Sequence, residues 1–97
     1  DFGKEDTCRA YIANVGEKGA QKAAALAYAL RTKGIAAETD VSSRSLKAQM
    51  KYADKIGAEY TLVLGDNEVE SGKAVLKRMS DGEKRETELD ALAEELK

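Results

Sequence analysis

Apolar positions recur along this chain with two different periods, and the switches between them mark out the elements. Residues 9–14, RAYIAN, place Tyr11 and Ile12 in a nearly continuous apolar run with Val15 beside it, and Gly16 closes the run, which predicts a first strand. A run without polar alternation fits a strand covered on both faces, as in a parallel sheet between helices. Residues 17–33 change to helical spacing, with Ala23, Leu26, Ala27 and Leu30 at i, i+3, i+4 and i+7 and Gly34 at the end. Residues 35–41, IAAETDV, predict a second short strand, and residues 59–64, EYTLVL, give the clearest strand of the chain. Between these two lies the stretch around which the rest is arranged. At about 100° per residue, residues 42–57 place Arg44, Lys47, Lys51 and Lys55 in one narrow arc and Leu46, Met50, Ala53 and Ile56 on the opposite side. Ser42, Ser43 and Ser45 offer N-cap oxygens, and Gly57 can end the helix in the left-handed region.

Strand, helix, strand, helix, strand with short joints is the pattern of right-handed parallel crossovers. After Gly65 the rhythm changes. Residues 66–72, DNEVESG, are too few for a parallel crossover, so residues 73–78, KAVLKR, are expected to run antiparallel to the third strand. Ser80, Asp81 and Gly82 form a turn, and residues 84–87 pair back as a charged edge strand. A last helix is expected with Thr87 as N-cap and Asp90 three residues on, burying Leu89, Leu92, Ala93 and Leu96. The predicted fold class is α/β: a three-layer α/β/α domain with a mixed five-stranded sheet, order 2-1-3-4-5, strand 4 antiparallel.

Composition narrows the chemistry. Ninety-seven residues, 42% hydrophobic and 35% charged, suit one small domain, with residues 1–7 as a linker remnant and residues 8–97 as the domain. The opening DFGKEDT has no initiator Met, no basic start and no apolar core, which fits a piece cut from a longer chain and no export signal. No apolar run approaches the ~20 residues of a membrane span, so no membrane partner is expected. Cys8 is the only cysteine, which rules out an internal disulfide or a thiolate cage and favours a reducing, cytoplasmic setting. With no histidine, Ser-His-Asp and Cys-His catalysis and imidazole metal sites are excluded. The formal charge of −2 argues against a bulk polycation, but the charge is unevenly spread. Residues 44–55 hold four basic side chains against Asp54 alone, whereas residues 81–97 hold seven acids against three bases. One region can face phosphates; the other cannot.

Two glycine patterns carry little. Gly16-Glu17-Lys18-Gly19 matches the four-residue loop that clamps nucleic acid in KH domains, but that loop joins two helices and this one joins a strand to a helix. Gly65 to Lys73 is too widely spaced for a phosphate-binding Walker loop, and Ala74 stands where a hydroxyl is needed. Position is more informative. In open parallel sheets ligands collect outside the carboxyl ends of the strands, near the switch in strand order. That edge collects Asn14 and Glu17 after the first strand, and Glu38, Asp40 and Arg44 around the end of the second. Asn14 offers donors and acceptors, the carboxylates accept, and Arg44 presents a fork, a mixture suited to the edges of unpaired bases. Lys47 and Lys51, one and two turns along, can meet backbone phosphates without reading sequence. Tyr52 can stack on a base. Each has a plainer role available: Asn14 as a turn former, Asp40 and Ser42 as caps, Tyr52 as packing, the lysines as a solvated face.

With these residues laid out, the chain resembles the C-terminal anticodon-binding domains of class II aminoacyl-tRNA synthetases, most closely the histidyl type. The resemblance runs from Arg9 to the last helix. Its most specific parts are RSLKAQMKYADKIGA, residues 44–58, of histidyl character, and GDNEVESG, residues 65–72, shared with threonyl, prolyl and glycyl relatives. The resemblance implies a binding domain for the anticodon stem-loop of histidine tRNA, with Asn14, Glu17, Glu38, Asp40, Arg44, Lys47 and Lys51 on the RNA-facing edge. It implies no cofactor in this domain. It also implies an upstream catalytic domain in which ATP and magnesium serve aminoacylation, in a homodimeric cytoplasmic ligase. Three rivals stay open on the sequence: the anticodon domain of a threonyl, prolyl or glycyl synthetase; a synthetase-like interaction or dimerisation module of a regulatory protein, supported by the acidic C-terminus; and a flavodoxin-like nucleotide-binding domain, suggested by strand order alone.

Overall fold

Burial of every residue in β1 (Ala10–Asn14) sets the architecture, because a strand with no solvent face must be flanked by neighbours and covered on both sides. The computed structural model describes residues 8–40 and 45–96 and meets both conditions. β1 lies between β2 (Ala37–Thr39) and β3 (Tyr60–Leu64), parallel to both, and β4 (Lys73–Arg78) and β5 (Lys84–Glu88) continue the sheet antiparallel, in the order 2-1-3-4-5. The order and the antiparallel fourth strand are those expected from the connection lengths.

Alternate side chains of the central strands feed two separate cores. Ala10 and Ile12 of β1 join Leu62 and Leu64 of β3, and this cluster takes in Ala23, Ala27 and Leu30 of α1 (Gly16–Thr32) and Leu92 and Leu96 of α4 (Leu92–Leu96). Tyr11 and Ala13 face the other way, onto Ala53 of α2 (Leu46–Lys55), with Met50, Ile56 and Val63 packed at the margin. Helices α1 and α4 therefore cover one face and α2 the other. Small residues let α1 lie close to the sheet, most closely at Gly19, where an added Cβ would stand 2.4 Å from the carbonyl oxygen of Leu64. Gly16 and Gly19 fall in the first turns of α1, after a strand, which removes the KH-type loop.

The structure corrects the sequence expectations in three places. DNEVESG is a short helix, α3 (Asp66–Ser71), rather than a plain connection; the Glu68 carboxylate accepts from the Gly65 N–H at 2.8 Å, and Gly72 closes it at φ 75°. Thr87 caps nothing. It is buried in β5 opposite Ala74, with Glu88 opposite Lys73, and the Leu89 N–H continues the pairing to the Gly72 carbonyl. A continued sheet ladder satisfies more backbone groups than one side-chain cap, so the chain turns helical only after it, through a 3-10 turn (Leu89–Ala91) into α4. Leu89, Leu92 and Leu96 are buried as expected, and Ala93 packs partly. Finally, α2 is shorter than residues 42–57. Ser45 is its N-cap, accepting from the Ala48 N–H at 3.2 Å, and Ser42 and Ser43 lie outside the described residues.

Candidate nucleic-acid interface

The parallel strands β1, β2 and β3 deliver α1, α2 and α3 from one edge of the sheet, so three strand ends and three helix starts converge there. Asn14 sits at its centre. The residue is buried at 6% exposure, and its side-chain amide donates to Thr39 Oγ1 and to the Asp40 carbonyl, both at 3.0 Å. Thr39 Oγ1 in turn donates to the Ile12 carbonyl at 2.7 Å. The backbone of Asn14 is tied as well: its N–H donates to Gln49 Oε1 and its carbonyl accepts from Gln49 Nε2, each at 2.8 Å. Asp40 is also buried, at 5% exposure. Asn14 and Asp40, two residues expected to face a ligand, are both buried, and the amide of Asn14 bonds inside the protein, tying the tip of β1 to the tip of β2.

The exposed groups stand around this buried frame. Val15, 48% exposed, precedes α1, and Glu17 is exposed in its first turn. Lys47 and Lys51 are exposed on successive turns of α2, and no acidic residue stands in that helix's first turn. The positive end of the α2 dipole and the two ammonium groups therefore reinforce one another, whereas Glu17 at α1 and Asp66 and Glu68 at α3 offset the dipoles of those helices. Among the described residues, Lys47 and Lys51 have no ion-pair partner. Tyr52 is 36% exposed, with its ring edge-on to Tyr11 at 5.8 Å between centroids. It therefore offers part of a ring and spends the rest in packing.

Two other sequence candidates fall elsewhere. Glu38 pairs in register with Tyr11, roughly 10 Å below the tip at about 3.3 Å per residue, and its carboxylate lies 3.8 Å from the Arg31 guanidinium. Its field reaches inward: the buried Cys8 thiol is pushed up from its ordinary pKa by burial and then by the Glu38 charge. Arg44 lies outside the described residues. Leu46, placed by periodicity on the packing side of α2, is 38% exposed, and Gln49 is buried in its stead. Sequence reasoning passed over Gln49, although a signal was present: Gln49, Ala53 and Ile56 fall at i, i+4 and i+7 on the packing arc, with a polar side chain in an apolar place.

What the arrangement can do follows from the types of group. Carboxylate and backbone groups at the tips of β1 and α1 can pair with base edges, and the lysine side of α2 can hold phosphates. No group of three or more Cys, Asp or Glu among the described residues is placed to hold a metal ion, and no helix among them is long and apolar enough to cross a membrane.

Comparison with known proteins points the same way. Residues 9–97 match the model of a family described as anticodon binding domain. A histidine-tRNA ligase of Acetivibrio thermocellus is 54% identical over 87 residues, covering 90% of this chain and 21% of that protein. One from Clostridium perfringens is 53% identical over 83 residues, covering 86% of this chain and 20% of that protein. The apo histidyl-tRNA synthetase of S. aureus superposes with a TM-score of 0.91 at 38% identity, covering 99% of this chain and 25% of that one. The chain thus spans about a fifth of the length of these curated relatives.

Proposed function

The chain belongs to the family of anticodon-binding domains, and from that membership we propose that it recognises the anticodon stem-loop of histidine tRNA as one domain of a histidine-tRNA ligase. The observation that supports this best is the pairing, along one sheet edge, of a rigid polar rim with the cationic side of α2. Single-stranded loops are recognised by pairing and stacking of splayed bases, with phosphates held by separate charged groups, and the two parts of this edge match the two tasks. Glu17, the backbone beside Asn14 and the exposed part of Tyr52 take the base side. Lys47, Lys51 and, by sequence, Arg44 take the phosphate side. Asn14 and Asp40 serve by holding the rim, and Glu38, turned toward Arg31, stays out of the contact. Identity to histidine-tRNA ligases favours the histidyl assignment over the threonyl, prolyl and glycyl relatives and over a regulatory interaction module.

The remaining parts of the proposal concern the whole protein. Residues 1–7 link this domain to an upstream catalytic domain, where ATP and magnesium serve the joining of histidine to its tRNA, in a homodimer of the cytoplasm. This domain supplies recognition and no bond-making group. Lys47→Ala and Lys51→Ala should each weaken binding of a hairpin RNA carrying a histidine anticodon and lower the salt slope of that binding by roughly 0.7 to 1 per lost phosphate contact. Fluorescence anisotropy titrations from 50 to 200 mM salt, roughly the range over which phosphate contacts dominate, would show this. Unchanged affinity and slope in both variants would overturn the proposal.

A further inference from the structure

We propose that Gln49 is a positioning residue for RNA binding: its side-chain amide stands in for a missing strand and thereby fixes the cationic side of α2 relative to the tip of β1. This rests on the anticodon-loop reading above and names the device that makes the edge rigid.

Three observations lead there. Pairing between β1 and β2 ends at Ile12 and Thr39, so no β2 residue pairs in register with Asn14 at the strand tip. On its other side β1 stays paired to its end, with Asn14 opposite Leu64 and the Val15 N–H donating to the Leu64 carbonyl. The Gln49 amide, 0% exposed, fills the gap with one accepted and one donated bond, both 2.8 Å, as the carbonyl and N–H flanking the next residue of a neighbouring strand would.

The rest of α2 explains why this matters for position. Its apolar anchors, Ala53 and the partly buried Met50 and Ile56, sit toward the C-terminal half, while Leu46 at the start is 38% exposed. Apolar contact is non-directional and tolerates sliding; two opposed hydrogen bonds of fixed length do not. Gln49 is therefore the directional anchor of the N-terminal half, the half that carries Lys47. Lys47 and Lys51 lie two residues to either side of it. At 100° per residue both project from the side of the helix opposite Gln49, about 40° apart. A shift or roll of α2 that Gln49 prevents would carry both ammonium groups away from the rim together.

Two variants of the 97-residue chain test this against the same histidine-anticodon hairpin, at a temperature where circular dichroism shows each variant folded. Gln49→Met keeps length and volume and removes both bonds. It should weaken binding, and the further loss on adding Lys47→Ala and Lys51→Ala should be smaller than in the parent background by about threefold or more, since the lysines are already displaced. Full additivity of the two sets of changes, or unaltered affinity of Gln49→Met, would overturn the inference. Should the lysine changes alone leave affinity untouched, the interface reading fails and this inference with it. Gln49→Glu supplies the second readout and stands in should Gln49→Met not fold. An ionised carboxylate repels the Asn14 carbonyl, whereas a protonated one can accept and donate as the amide does. Burial raises the pKa of such a carboxyl, so its protonated form persists to higher pH and gains population as pH falls. The affinity of Gln49→Glu relative to the parent should therefore rise from pH 8 to pH 5.5, and a flat ratio would contradict the assignment. A residue that only stabilised the fold would give no such trend while the protein stays folded.

Discussion

At Asn14 one side chain shows the difference between a residue placed at a site and a residue that makes the site possible. Its position, last in an apolar strand and two residues before Gly16, is plain in the sequence. That its amide turns inward to Thr39 and Asp40 is not, because this depends on β2 ending near it, a fact of register between distant segments. Cys8 raises the same question of environment. Its thiol donates to the Ala10 carbonyl at 2.9 Å and is 3% exposed, and burial, followed by the Glu38 charge, raises its pKa. A raised folded pKa means that the native state holds the proton more tightly than the unfolded chain. The stability so contributed is fully present below the unfolded thiol pKa and is lost as pH rises through the folded value. Cys8 is accordingly expected to resist a thiol reagent at pH 8 in the native protein and to react fast once urea unfolds it; comparable rates in both states would refute the buried placement.

Among the elements, those built on long periodic patterns were legible and those decided by competition were not. The α1 face, the apolar β1 and β3 and the short Asp66-to-Gly72 connection specify the topology from sequence, because period and connection length are local quantities. Thr87 differs from its expected role because a capping pattern states a local preference, while the ladder from Ala74 to Thr87 belongs to the assembled sheet. α2 was legible on its charged side and wrong at Leu46, since periodicity gives a direction but not where a helix overhangs the strand beneath it. The packing of α1 on β3 gives the sharpest test at this scale. Gly19→Ala gains helix propensity, about 1 kcal/mol, but drives a Cβ to 2.4 Å from the backbone oxygen of Leu64, which cannot rotate away. Forcing the two elements apart should outweigh the gain, with a net destabilisation of about 1–2 kcal/mol and a fall in Tm of roughly 4–8 °C per kcal/mol. A thermal melt with Tm unchanged or raised would show that α1 does not lie as close to the sheet as described.

For the whole molecule, charge is spread unevenly over the surface built on the two cores. Helix α4 is anchored by leucines and bears acids, with Glu95 paired to Arg85. At the turn between β4 and β5 the charges are paired, and the Asp81 carboxyl is held below its ordinary pKa by the Glu83 N–H and by Arg78. Lys47 and Lys51 place positive charge on α2 beside the strand tips, so a net charge of −2 does not prevent the local attraction of a polyanion. The central claim is that an RNA loop meets this one edge. An NMR titration of the 97-residue chain with the histidine-anticodon hairpin tests it most directly. Backbone amide shifts are expected at Val15 to Glu17 and from Lys47 to Lys51, with α4 and the β4–β5 hairpin unmoved. Shifts confined to α4 or that hairpin, or no shifts at saturating RNA, would contradict it.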